Sequence, residues 1–299
     1  MDLIVQPADG IKPLLDAIEA AQKTLDIIIF RFDLKPVEKA IEAAVRRGVA
    51  VRALIAHTNS DGEKRLRQLE LRMLTAGVSV SRTGDDLVRY HGKMMIVDHE
   101  ELYVFGFNYT SLDLKSRSLG LVTRDRRCVQ EGLRLFDADA LRQDFEPVFD
   151  NVVVSPENAR EQLATFIKRA RKQLVIWDPK VNDPQMIRLI HHRVKAGVDV
   201  RIIGKIAKRG GDLRVQKSPV RLHVRAMVRD CDTAFVGSQS LRALELDGRR
   251  EVGLITRESK VVKRILETFE TDWARTELGQ KELKVAAKAE KEQAEAVAS

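Results

Sequence analysis

At 299 residues, with 44% hydrophobic and 32% charged content, the chain can fill one large or two moderate domains with substantial cores. Its formal net charge of +8 favours polyanionic partners: phosphorylated small molecules, anionic lipid surfaces or nucleic acid. The 5% aromatic content argues against a base-stacking platform for single strands, and no apolar run reaches the ~18 residues of a membrane span.

Taken in chain order, the opening MDLIVQPADG lacks the basic and apolar regions of a signal peptide. An apolar strand, LDIIIF (25–30), precedes the helical VEKAIEAAVRR (37–47) and a second strand, GVAVRALI (48–55). His57 follows that strand and reads as a loop residue near its carboxyl end. Residues 90–109, YHGKMMIVDHEELYVFGFNY, frame the apolar run MMIV with His91, Lys93 and Asp98. On an extended chain His91 and Lys93, two apart, project from one face. LGLVTRD (119–125) and a closing helix complete the first half. Ser155-Pro156, in NVVVSPENA, reads as a helix start.

The same order then returns. LVIW (174–177), the helical MIRLIHHRVKA (186–196), GVDVRIIG (197–204) and VGLITRE (252–258) repeat the elements of the first half. Alternating strands and helices indicate an α/β architecture with a largely parallel or mixed sheet. Two copies are too few for a solenoid, so a pseudo-twofold pair packed face to face is expected. The divisions are residues 1–152, residues 153–278 and a tail, 279–299, whose Ala/Lys/Glu pattern predicts a solvated, fraying helix or disorder. His191 and His192 fall in a cationic helical segment and read as a solvated face. Val262, Leu266, Phe269 and Trp273 recur at helical spacing and read as core.

The duplication also repeats the polar constellation. In LHVRAMVRDCDTAFVGSQS (222–240), His223, Arg225 and Asp230 stand at the offsets of His91, Lys93 and Asp98. One such motif is weak, because an edge strand with polar residues explains it. Two with one spacing are different, since packing requires apolar periodicity and does not require a histidine and a cation twice. Cys128 and Cys231 form no close-spaced ligand pair, so a reducing, cytoplasmic compartment is expected. The histidines sit beside cations, which repel a divalent ion, so neither metal nor cofactor is expected.

These residues resemble the phospholipase D superfamily, whose signature, H-x-K-x-x-x-x-D followed by G-S-x-N, usually occurs twice; the resemblance covers nearly all of the chain up to about 275. Here the second motif is H-x-R. The first copy reads F-G-F-N, keeping Asn108 but placing Gly106 where serine is usual. The second reads G-S-Q-S, keeping Ser238 but placing Ser240 where asparagine is usual. Glu251 matches the supporting glutamate of the family, and Ser118 occupies that place in the first copy. The resemblance implies two pseudo-symmetric α/β/α repeats around one shared active site.

It further implies phosphodiester hydrolysis or phosphatidyl transfer through a phosphohistidine, without metal. Such a reaction needs a nucleophile, an acid for the leaving group and cations for the phosphoryl oxygens. His91 and His223 divide the first two tasks, and Lys93 and Arg225 take the third. Asn108, Ser238, Ser240 and Glu251 bind or support the phosphate, while Asp98 and Asp230, grouped with the catalytic set by the motif, orient a histidine or brace a loop. Arg225 keeps the charge but exchanges a point cation for a planar fork, which is not a conservative change. Phospholipid is the favoured substrate. Peripheral contact with a membrane suits the basic surface, and no oligomer is required. The rival readings are a cytosolic nuclease of the same superfamily and an impaired protein that only binds phosphate or nucleic acid.

Overall fold

A computed structural model describes residues 1–58, 63–207 and 213–298. The first half runs β1 (Asp2–Gln6), α1 (Lys12–Ala20), β2 (Thr24–Ile29), α2 (Lys35–Arg46), β3 (Ala50–Ile55), α3 (Glu63–Thr75), β4 (Ser79–Arg82), β5 (Arg89–Tyr90), β6 (Met94–Val97), β7 (Glu101–Phe105), α4 (Ser111–Leu114), β8 (Ser118–Thr123) and α5 (Arg126–Leu141). The second runs β9 (Val152–Ser155), α6 (Ala159–Lys168), β10 (Gln173–Val181), α7 (Pro184–Lys195), β11 (Asp199–Ile206), β12 (Arg214–Gln216), β13 (Arg225–Arg229), β14 (Thr233–Gly237), α8 (Ala243–Asp247), β15 (Arg249–Thr256) and α9 (Ser259–Ala274). A last helix, α10 (Glu277–Ala298), follows.

Local chemistry accounts for these elements. Val37, Ile41 and Ala44 give α2 one buried stripe at helical spacing. Asp125 caps α5 by accepting from the Arg127 and Cys128 N–H groups, and Asp183 caps α7 by accepting from those of Gln185 and Met186. Gly48 and Gly197, at φ +90° and +80°, supply the left-handed turn that ends a helix and starts the next strand in each half.

The two sheets share one topology. The first has the order β1-β8-β7-β6-β2-β3-β4. In the second, β9 pairs with β15, and β14, β13, β10, β11 and β12 follow. Helices α1 to α3 pack on the outer face of the first sheet, and α6 and α7 on that of the second. Between the sheets lies a central core built from both inner faces with α5 and α9. The expectation of two pseudo-symmetric α/β/α repeats therefore holds.

Symmetry-related contacts tie the halves together. Arg117 donates to both carboxylate oxygens of Asp272 at 2.7 and 2.8 Å and to the Gln6 carbonyl at 2.7 Å. Arg250 repeats this toward Asp139, at 3.0 Å, and the Ser155 carbonyl, at 3.1 Å. Each arginine thus reaches the closing helix of the other half.

Two sequence expectations need correction. Ser155-Pro156 does not start a helix: Ser155 ends β9, and α6 begins at Ala159. The apolar VVV is an edge strand, whose pairing with β15 lies far away in sequence. The tail begins as a docked helix, because Glu282 accepts from Trp273 Nε1 at 2.9 Å and from Arg214 at 2.5 Å. Ser299 lies outside the described residues.

Candidate active site

Each histidine hangs from the seam between the repeats. The His91 N–H donates to the Arg250 carbonyl at 2.7 Å, and that of His223 to the Arg117 carbonyl at 3.0 Å. The residues just before them pair in parallel with the start of the last sheet strand of the opposite half: Tyr90 with Arg250, and Leu222 with Arg117. These exchanged pairings bring both motifs to one place.

On the first side, His91 Nδ1 lies 2.8 Å from Glu251 Oε2, so a carboxylate from the second repeat backs the imidazole of the first. Glu251 at Nδ1 selects the tautomer with its proton there, which leaves Nε2 as the acceptor nitrogen, beside the Lys93 ammonium. Lys93 is fully buried. Its Nζ donates to the His91 carbonyl at 2.6 Å and lies 2.7 Å from Nδ1 and 2.9 Å from Nε2 of the ring. Phe30 meets the imidazole edge-on with centroids 4.4 Å apart. Burial and the neighbouring Lys93 and Arg225 charges hold His91 neutral, well below the usual imidazole range. Burial likewise pulls Lys93 down to about 7, against the attraction of Glu251.

On the second side, Arg225 donates from Nη1 to the His223 carbonyl at 3.2 Å and from Nε to Ser240 Oγ at 3.3 Å. The carbonyl contact matches that of Lys93, so the second cation occupies the equivalent place. Burial and Arg225 hold His223 well below the usual range, with Asp113 pulling the other way. His223 Nδ1 faces Asp113 Oδ2 at 3.5 Å.

Asp113 was not singled out in the sequence. It lies on α4 of the first repeat and accepts from the Asn108 N–H at 2.9 Å, from Asn108 Nδ2 at 2.7 Å and from Arg221 at 3.0 Å. The repeat itself carried the signal: Asp113 is five residues after Asn108, as Glu245 is five after Ser240. The Ser240 N–H donates to Glu245 at 2.8 Å. Ser118, at the position equivalent to Glu251, only touches the His223 carbonyl, at 3.2 Å. Each histidine therefore faces a carboxylate from the opposite repeat, but from different positions.

The remaining sequence candidates divide into support and bracing. Asn108 spends its Nδ2 on Asp113, and Ser238 Oγ accepts from the Val252 N–H at 3.2 Å, so both support the site from behind. Asp98 and Asp230 are not part of the constellation, which corrects their grouping with the catalytic residues. They lie past the far ends of β6 and β13, where Asp98 accepts from the N–H groups of Gln22, Lys23 and Thr24 and Asp230 from those of Arg171, Lys172 and Gln173. Loop bracing is what this geometry performs. His57 lies just past the end of β3 and lines a hollow of about 380 Å³ with Arg89 and Tyr90. Among the described residues, no three His, Cys, Asp or Glu side chains are grouped to hold a metal ion.

Paired sheets with a histidine and a cation delivered twice to one seam define a phospholipase D-like protein. The family described as cardiolipin synthase, PLD-like domain, matches residues 14–140 and 163–273, and the chain belongs to this family. It is 28% identical over 168 residues to human mitochondrial cardiolipin hydrolase, covering 55% of this chain and 63% of that relative. The fold is similar to phosphatidylserine synthase from Haemophilus influenzae, with TM-score 0.69 and 11% identity over 98% of this chain and 94% of the other. It is also similar to polyphosphate kinase from Porphyromonas gingivalis, with TM-score 0.74 and 17% identity over 89% of this chain and 49% of the other.

Proposed function

We propose that this chain is a metal-independent phosphodiesterase or phosphatidyltransferase that works through a phosphohistidine, with a phospholipid as substrate. The observation that carries this reading is the convergence of His91 and His223, each with a cation two residues on and a carboxylate from the other repeat at its Nδ1 side.

His91 is assigned the attack, because Glu251 holds its ring at 2.8 Å and burial keeps it neutral. Its Nε2 forms a bond to phosphorus as the bond from phosphorus to the leaving oxygen breaks. Lys93 and Arg225 stabilise the charge on the equatorial oxygens. His223 gives its proton to the departing alkoxide. Water or an acceptor alcohol then returns a proton to His223, attacks phosphorus and frees His91. Before the first step His223 must be protonated, and the negative charge of bound phosphate opposes the burial and the Arg225 charge that keep it neutral in the free protein.

The test is rapid quench with phosphatidylglycerol, cardiolipin and single-stranded DNA, each in EDTA, followed by mass spectrometry of acid-labile phosphorylated peptides. A phosphatidyl group, its phosphorus still esterified to diacylglycerol, on the peptide containing His91 with a lipid substrate is the expected result. Labelling only with DNA would establish the nuclease reading instead. Turnover that needs a divalent ion would overturn the metal-free mechanism.

A further inference from the structure

A second cationic site lies at the opposite end of the second sheet. Lys168, Arg169, Arg171, Arg193, Arg229 and Arg257 line a hollow of about 480 Å³, against two carboxylates, Asp230 and Asp232. One arm of Arg193 is occupied by the Lys168 and Ala170 carbonyls. Asp230 is occupied by backbone N–H groups, as described above. An adjoining hollow of about 330 Å³ shares Arg169, Arg229 and Arg257 and adds Thr165 and Thr233. Asp150 and Glu161 also line it, which confines an anion to the shared arginines.

Arg229 is the centre of this arrangement. It is only 9% exposed, its Nε has no hydrogen-bond partner, and its carboxylate contacts, to Asp230 and Asp232, are long at 3.8 Å. This guanidinium lies over the Phe166 ring at 5.4 Å, and an anion that takes its unfilled donor adds a charge-assisted hydrogen bond. The site is separate from the histidines: Arg225 and Arg229 bound β13, about 13 Å apart at strand spacing.

The first repeat is an internal control. Aligned on Asp98 and Asp230, it has Glu19, Ala20, Gln22 and Val97 where the second has Lys168, Arg169, Arg171 and Arg229. Arg124, the counterpart of Arg257, pairs with Glu101 at 2.5 Å, and the counterpart of Glu101 is Thr233. Four positions carry a cation where the first repeat has none, and a neutralising carboxylate is replaced by Thr233, across the two adjoining hollows. Bracing the loop does not require this, since Asp98 braces its own loop without them.

We propose that this hollow binds a terminal phosphate group, held by Arg229 with Arg169, Arg171 and Arg257, whether from a phosphomonoester lipid headgroup or a soluble phosphate. The test is isothermal titration of the full chain with inorganic phosphate. Two variants separate the sites: K168E/R169A/R171Q carries the residues of the first repeat at three exposed positions, and K93M/R225M empties the histidine site. The wild type is expected to bind at two sites, and each variant to keep the one the other loses. Arg257→Ala, also exposed, is expected to weaken the same site as the triple variant by at least ~10-fold, the scale of a charge-assisted hydrogen bond. A phosphate isotherm unchanged in both the triple variant and Arg257→Ala overturns the proposal. Co-sedimentation with phosphatidic acid vesicles, against phosphatidylcholine vesicles, identifies the source. Loss of phosphatidic acid binding in the triple variant assigns a lipid headgroup, and unchanged sedimentation with the lost phosphate site assigns a soluble ligand.

Discussion

Burial draws the Lys93 ammonium down to about 7, so in the free protein its charge is present below that pH and is lost above it. His91, held well below the usual imidazole range, stays neutral until more acidic pH. The productive state needs neutral His91, charged Lys93 and protonated His223. Burial and Arg225 hold His223 well below the usual imidazole range and Lys93 loses its charge at about 7, so kcat/KM is expected to fall as pH rises from mildly acidic values through about 7. Bound phosphate stabilises the ammonium, so the alkaline limb of kcat should lie higher than that of kcat/KM. Lys93→Arg, with a charge that does not titrate, should leave His223 alone on the alkaline limb of kcat/KM and make that limb shallower above about 7; a limb as steep as that of the wild type would contradict this. Arg225 makes a related prediction. Lysine there keeps a donor near the His223 carbonyl, so Arg225→Lys should preserve or raise turnover. Arg225→Ala should lower kcat by at least ~10²-fold.

At the scale of elements, α4 supplies the carboxylate that the first copy of the motif lacks. Asp113→Asn keeps the shape and its bond to Asn108 but removes the charge facing His223, and kcat should fall by up to ~10²-fold with KM little changed. Adding Ser118→Glu, which restores to the first copy the residue that Glu251 represents in the second, should recover part of the loss. No recovery, with the fold intact, would confine Asp113 to holding Asn108. Helix α10 makes a stability prediction. A chain ended at Gly279 loses the Glu282 bonds to Trp273 and Arg214 and should be less stable by about 1–3 kcal/mol. A chain ended at Ala287 keeps them and should melt like the full chain. Equal melting of both truncations would show that the Glu282 contacts contribute nothing.

Across the whole molecule, the two buried Arg–Asp pairs hold the repeats in register, and the register places the histidines. Arg117→Met leaves Asp272 buried without its cation and should cost about 3–5 kcal/mol in denaturant unfolding. The double change Arg117→Met/Asp272→Leu, which removes the stranded charge as well, should recover much of that. If the single and double variants are equally unstable, the damage comes from the lost bond to the Gln6 carbonyl and not from the unpaired carboxylate.

The sequence by itself determined the duplication, the α/β class and the residue types at His91, Lys93, His223, Arg225 and Glu251, because hydrophobic periodicity and motif spacing are local properties of the chain. Strands β1 and β9 were not read, since each is short and is stabilised by a pairing partner more than 90 residues away. The sequence placed Asp98 beside His91 and Lys93, but an extended strand carries it to the far end, where backbone N–H groups take its charge. Only the tertiary structure decided which carboxylate faces which histidine. Glu251 lies 160 residues from His91, and Asp113 lies 110 residues before His223. No local pattern can encode that choice, because it follows from the packing of one repeat against the other.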